Sequence, residues 1–521
     1  MKPLRSIAAL GIGGLLVAGA GAAPSVFPVG VTLYEPEQTW NGYTVLSLLR
    51  GNPVVIDMNG HVLKEWDGFN DSAGGPARIL PNGEIIAPVG ARQGRQESLR
   101  LAQQDFNGKE IWSLAGNSDI EAAGGGTQKS LRQHHDWQRA DFPAGYYSPD
   151  FKPASTGAAT LVLAHTDRTL PQIADGLVQD DHLIEYGPDG KIRWEWYAAD
   201  HKDEFGFTAA AFLAIRAGDR AGGAGGPGGG PGGGGPRAGG PGAGGAGGGA
   251  GPARGPGGAA GGPGARGGGA PQRAGGGAPQ RAGGGGAPGR GGGGPSAPRA
   301  YDWLHINSAT YVGPNHWFDA GDKRFDPQNV IICSRQASFI AIIARDGHVV
   351  WRMGPDYRET PELQRIGQII GQHHAHFIPK GLPGAGNLMV FDNGGASGYG
   401  FDTPIERNGQ GGLARATSRV LEIDPVKMDT VWSYTASTFY STNISGAQRL
   451  PNGNTLITEG AGSRVFEVTA DKKIVWEYMS AGADGALSSV YRAYRVPYEW
   501  IPQLQKPVEA AVKPPAGFHT P

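Results

Sequence analysis

The chain has 521 residues, with 46 Lys and Arg against 47 Asp and Glu, 91 glycines, 40 prolines and one cysteine. So close a balance of charge argues against electrostatic capture of nucleic acid or acidic lipid. Cys333 is alone, so no intramolecular disulfide can form and stability has to come from burial.

Residues 1–22 come first in chain order. Lys2 and Arg5 precede an apolar run from Ile7 to Val17, followed by small residues with Ala-x-Ala spacing at Ala18, Ala20 and Ala22. This is the pattern of a secretory signal peptide, so a periplasmic or secreted protein is expected. No later run reaches the ~20 apolar residues of a membrane span.

From 23 to 216 a unit recurs: a strand, a turn holding Gly or Asp, and a strand closing on tryptophan. Its copies are "NPVVIDMNGHVLKEW" (Trp66), "LAQQDFNGKEIW" (Trp112) and "DHLIEYGPDGKIRW" (Trp194). Residues 217–299 interrupt it with little but Gly, Ala, Pro and Arg, side chains that cannot bury area, so the segment is expected to be disordered. Its arginines, such as Arg237, Arg254 and Arg273, invite a nucleic-acid reading, but no aromatics interleave them. A tolerated surface insertion fits better. The unit resumes over 300–505 as "FIAIIARDGHVVW" (Trp351), "VLEIDPVKMDTVW" (Trp432) and "VFEVTADKKIVW" (Trp476), and 506–521 read as a tail.

A short strand pair precedes most copies, as in "ARILPNGEIIAP", "ATLVLAHTD", "NVIICSRQ", "NLMVFDNG" and "AQRLPNGNTLITEG". Alternating β-branched residues around N-G and D-G turns signal antiparallel hairpins. Six Trp-terminated hairpins, each with a preceding pair, predict an all-β, six-bladed β-propeller carrying a long Gly-rich insertion. A solenoid is the alternative, but no copy reads as a terminal cap.

The innermost strand of a blade faces the central channel. Set in register, "ISGAQRLPNG" and "GPARILPNG" are plain copies, whereas "QHHDWQRADF", "DWLHINSATYVG" and "GQHHAHFIPKG" carry histidine near the strand start. His135 (or His134), His305 and His373 (or His374) are therefore expected to converge at one mouth of the channel. Arg335 ends the next strand of the His305 blade. An inward Arg beside imidazoles calls for a shared anion, and its planar donors suit sulfate, phosphate or carboxylate oxygens. Asn307, two residues from His305, is expected on the same strand face and can donate to that anion.

A metal held by three histidines is the competing reading, which Arg335 would oppose. His165, His182, His201, His316 and His348 are read as surface or packing residues, and the six repeat tryptophans as structural.

These motifs resemble the bacterial arylsulfotransferases. The similarity runs from "GVTLYEPEQTWNGYTVL" through "HHDW", "DWLHINS", "CSRQAS", "QHHAHF" and "GAQRLPNGNTLITEG" to "VYRAYRVPYEW". The resemblance implies a six-bladed propeller that moves a sulfuryl group from an aryl sulfate donor to a phenolic acceptor, with no cofactor or nucleotide. It implies a transiently sulfated His373, with His305, His135 and Arg335 as further catalytic groups. Asn307, His374 and His134 are the accompanying substrate contacts, and the two doublets stay uncertain by one position. Ile306 stands where the family often has a polar residue. Family members can carry a disulfide and a β-sandwich domain ahead of the propeller. Here Cys333 is alone and the first propeller motif follows closely on the expected signal peptide, so dimerisation through such a domain is not assumed and the oligomeric state is left open. A non-catalytic anion-binding propeller is the rival from another class. A quinone dehydrogenase is a third, lacking here its eight blades and adjacent cysteines.

Overall fold

The computed structural model describes residues 29–514 apart from 50, 70–74, 93–94, 123–124, 221–299, 396, 400–412 and 483–484. The expected signal peptide and all but four residues of the Gly-rich segment lie outside these. Residues 217–220 instead end a helix, Ala209–Arg220, whose Ala-rich sequence has high helix propensity and which buries Ala211 and Ile215.

The described residues form an all-β propeller arrangement of antiparallel sheets. Tyr43–Leu48, Val54–Ile56 and Val62–Glu65 make the outer part of one sheet, and Val490–Val496 from the other end of the chain completes it. Two further sheets are four-stranded: Ile306–Tyr311 to Val349–Met353, and His373–Phe377 to Asp429–Tyr434. The next runs from Gly446–Arg449 to Ile474–Met479 and gains a fifth strand, Gly30–Tyr34, at its edge.

The expectation of six separate four-stranded sheets meets one correction. The meanders Arg78–Ile79 to Glu110–Leu114 and Gln133–Arg139 to Ile192–Tyr197 belong to a single nine-stranded sheet. The strand Glu97–Gln104 is eight residues long, and its first turn of ladder reaches across so that Ser98 pairs with Gln133. Tyr301–Asp302 joins the same sheet in parallel with Leu177–Tyr186, which delivers His305 to its place.

The repeated tryptophans explain how neighbouring sheets hold together. Trp66 donates its indole N–H to the Asp105 carbonyl (3.0 Å), Trp194 to Arg345 (3.0 Å), Trp351 to Pro425 (2.9 Å), Trp432 to Ala470 (2.8 Å) and Trp476 to Met58 (2.8 Å). Each acceptor sits in the hairpin turn of the next meander, and the last bond returns to the first sheet. A buried indole needs such a partner for its N–H, so the residue both fills the gap between sheets and fixes their spacing.

Asp136 joins the inner strands. It is fully buried, and its Oδ1 accepts from Arg78 (2.8 Å) and the Trp137 N–H (3.0 Å). Its Oδ2 accepts from the Ala309 N–H (3.2 Å) and Arg492 (3.4 Å). Four inner strands thus meet on one carboxylate. Removing its charge strands two buried guanidinium groups, so Asp136→Asn is expected to lose about 3–5 kcal/mol of unfolding free energy. The exposed Asp189→Asn should stay within about 0.5 kcal/mol in the same denaturant titration.

Candidate active site

The histidine-bearing strands share an irregular start. His135, His305 and His374 have φ of 54°, 51° and 54°, and each lies beside a break in pairing register near the head of its inner strand. Left-handed backbone at a non-glycine residue costs about 1–2 kcal/mol. Such bulges re-aim side chains and break the two-residue alternation of a strand. That is why Asn307 does not follow the same-face rule. Its Nδ2 donates to the Gln372 carbonyl (2.7 Å), and its backbone carbonyl accepts from Arg492 (2.9 Å), making it a strut between strands.

His135 and His305 meet directly, their rings 4.5 Å apart and steeply inclined. The Nδ1 of His305 is 2.5 Å from Asp302 Oδ2, and Asp302 Oδ1 also accepts the His305 backbone N–H (3.1 Å). Burial alone would raise the Asp302 carboxyl, but the His305 beside it outweighs this and holds it well below the usual range. A carboxylate on Nδ1 fixes the imidazole's orientation, the arrangement of a general acid–base histidine.

His373 is buried within the field of this pair. Burial first, then Arg335 and His305, hold its imidazole well below 6.5, and burial, then the neighbouring imidazoles led by His305, do the same to His135. Its Nδ1 faces Asn393 Oδ1 (2.7 Å) and the Gly371 carbonyl (3.1 Å), so Nδ1 carries the proton. Asn393 cannot flip, because its Nδ2 donates to the Ser441 and Ile444 carbonyls. His373 Nε2 therefore presents a lone pair, which accepts the Ile444 N–H at 3.2 Å. Arg335 is 8% exposed and donates to Gln336 (3.2 Å), and no carboxylate among the described residues forms an ion pair with it. A guanidinium so placed, beside the neutral His373 imidazole, can bind an anion's oxygens.

The doublets divide. His134 turns into the sheet, 3.1 Å from Asp181 and stacked 3.5 Å from His165. His374 faces His376, Tyr146 and Tyr494, with its Nε2 3.5 Å from the Tyr494 hydroxyl. His376 donates from Nδ1 to the His374 carbonyl and accepts the Tyr146 hydroxyl at Nε2, both at 2.9 Å, and burial pushes it down to about 4.

Sequence reasoning missed Asp302, Asn393 and Arg492. The first stands three residues before His305, a spacing that suits an Asx turn. Arg492 and Arg495 sit inside the apolar strand "VYRAYRV", where a buried charge demands a partner. His165, read as a packing residue, turns out to have charged neighbours. Burial raises the Cys333 thiol to about 12, so it is no nucleophile.

Residues 288–481 match the family described as Arylsulfotransferase (ASST). No curated protein gives a significant match. Among solved structures, a protein of unknown function from Bacteroides caccae is similar at 10% identity, covering 88% of this chain and 99% of that one, with a TM-score of 0.37. The Dos1 propeller is similar at 10% identity, covering 81% and 76%, with a TM-score of 0.34.

Two outcomes are expected. His305→Gly should be more stable than His305→Ala by about 1 kcal/mol in chemical denaturation, because glycine accepts the left-handed backbone without strain. Equal stability would show that the backbone there is not held left-handed. Because His376 is held neutral, its contribution is complete above the unfolded value of about 6.5 and is lost as pH falls toward 4. Stability against pH should decline across that window by roughly 3 kcal/mol from this group, and His376→Asn should flatten the decline.

Proposed function

We propose that the chain, whose residues 288–481 match the arylsulfotransferase family, moves a sulfuryl group from an aryl sulfate ester to a phenol by two successive displacements. The observation that carries the reading is Arg335: a buried guanidinium that pairs with no carboxylate among the described residues and acts electrostatically on His373. We read the nine-stranded sheet as two blades joined at Ser98 and Gln133, which makes six in all.

His373 Nε2 attacks sulfur, the N–S bond forms, and the sulfur–oxygen bond to the first aryl group breaks. Its Nδ1–H, held on Asn393, stabilises the positive charge that develops on the ring. His305, oriented by Asp302, gives its proton to the departing phenolate. The acceptor phenol then loses its proton to His305, its oxygen attacks sulfur, and the N–S bond breaks. Arg335 and His135 hold the sulfuryl oxygens throughout. The attack exchanges the Ile444 N–H contact, at 3.2 Å a long one, for the bond to sulfur. The same engaged lone pair is what favours the alternative, an anion-binding propeller without catalysis. The reading also keeps the expectation of an exported protein.

Purified protein with 4-nitrophenyl sulfate and a panel of phenols tests this. Nitrophenolate release should depend on the acceptor, disappear in His373→Ala and persist in His374→Ala. His305→Ala should fall about 100- to 10,000-fold. Peptide mass spectrometry after incubation with donor alone should find the sulfuryl adduct on the peptide holding His373. Acceptor-independent release would indicate a hydrolase, and no release from any donor would leave the binding module.

A further inference from the structure

Behind the His135–His305 pair lies a second cluster that the reaction does not use. His134, His165 and Asp181 come from three adjacent strands, Gln133–Arg139, Thr160–Thr169 and Leu177–Tyr186, with His165 directly opposite Asp181. All three are at most 3% exposed. His134 Nε2, His165 Nε2 and Asp181 Oδ1 are each buried without a hydrogen-bond partner, and the three side chains each bring a ligand atom within 4.8 Å of the other two. The two nitrogens lie 3.1 Å and 3.8 Å from that oxygen. Three orphaned polar atoms at one buried point cost several kcal/mol unless something satisfies them.

The remaining atoms of the same side chains are already engaged. Asp181 Oδ2 accepts the Ile306 N–H (3.2 Å), and His134 Nδ1 is 2.8 Å from His135 Nδ1. His165 Nδ1 contacts the Gln179 amide (2.5 Å) and lies 3.4 Å from Glu97 Oε1. A carboxylate behind a histidine is the usual support for an imidazole that binds metal through its other nitrogen. No Lys or Arg among the described residues pairs with Asp181, whereas Glu97 and Asp167 are paired with Arg132.

We propose that His134, His165 and Asp181 form a site for a divalent transition-metal ion, with zinc the ion best matched to two imidazole nitrogens and one carboxylate oxygen. A tetrahedral zinc with bonds near 2.0–2.1 Å sets its ligand atoms about 3.3 Å apart, between the two spacings observed. The imidazoles stack with planes only 11° apart, so binding turns one ring about its Cβ–Cγ bond until the lone pairs converge. With the ion on Nε2, His134 keeps its proton on Nδ1 and donates it to His135 Nδ1. The proton of His135 is then carried on Nε2, so the ion sets the tautomer of a histidine in the anion site.

The site does not depend on the sulfotransfer reading, and its test reads metal rather than turnover. Full-length protein is stripped with chelator, reloaded with Zn²⁺ or Co²⁺ and desalted. One zinc per chain should remain by elemental mass spectrometry, and cobalt should give the intense visible absorption of a four-coordinate ion. Both should vanish in His165→Ala and Asp181→Asn and persist in His201→Ala, which alters the more exposed His201, Glu204 and His348 group. No retained zinc and no cobalt band in the unmodified protein overturns the proposal, even where the buried variants fail to fold. Zinc kept by either buried variant, or lost only in His201→Ala, overturns it as well.

Discussion

Five indole N–H groups, each donating to a carbonyl in the next meander's turn, are the contacts that the sheets depend on for their spacing. A four-stranded sheet of this size is too small to stand alone, and both of its faces need cover. Tryptophan at the end of these five hairpins supplies apolar area for that cover and a directional bond that prevents sliding. The inner strands are then fixed at a common distance from one another. This lets side chains from separate parts of the chain, such as His135 and His305, come within 4.5 Å.

Close approach brings a charge problem, since Arg78, Arg335 and Arg492 are all buried near the inner strands. Asp136 neutralises part of this by taking Arg78 and Arg492 on its two oxygens. Among the described residues the Arg335 guanidinium has only an amide partner. The fold therefore answers two of these three charges with a carboxylate and the third without one. Burial, and Arg335 after it, hold His373 neutral, which serves the same arrangement because a protonated ring there would repel that guanidinium.

Much of this was legible in the sequence. The Trp-terminated hairpin is a local pattern of turn residues and alternation, so its six copies could be read directly. His305 stood out because its inner strand, set in register with plain copies such as "GPARILPNG", carries histidine near its start. The fused nine-stranded sheet was not legible, since it hangs on Ser98 meeting Gln133, a contact between residues far apart in a chain whose local pattern is unchanged. The left-handed positions at His135, His305 and His374 were hidden too. Such backbone usually announces itself as glycine, and here histidine occupies it. That same feature misled the placement of Asn307, which the rule of alternation would have set beside the anion. His165 gave no signal because its partners, His134 and Asp181, lie on neighbouring strands.

The strand Val490–Val496 comes last in the chain, yet it completes the sheet built from residues 43–65. It also brings Arg492 to Asp136 and the Tyr491 hydroxyl to the His135 carbonyl (2.8 Å). Until these residues are available, the first sheet lacks its inner edge and the histidine-bearing strands lack a wall. Assembly of the site is thus tied to the arrival of residues 490–496: a polypeptide still lacking them can build individual meanders but cannot enclose the histidine cluster.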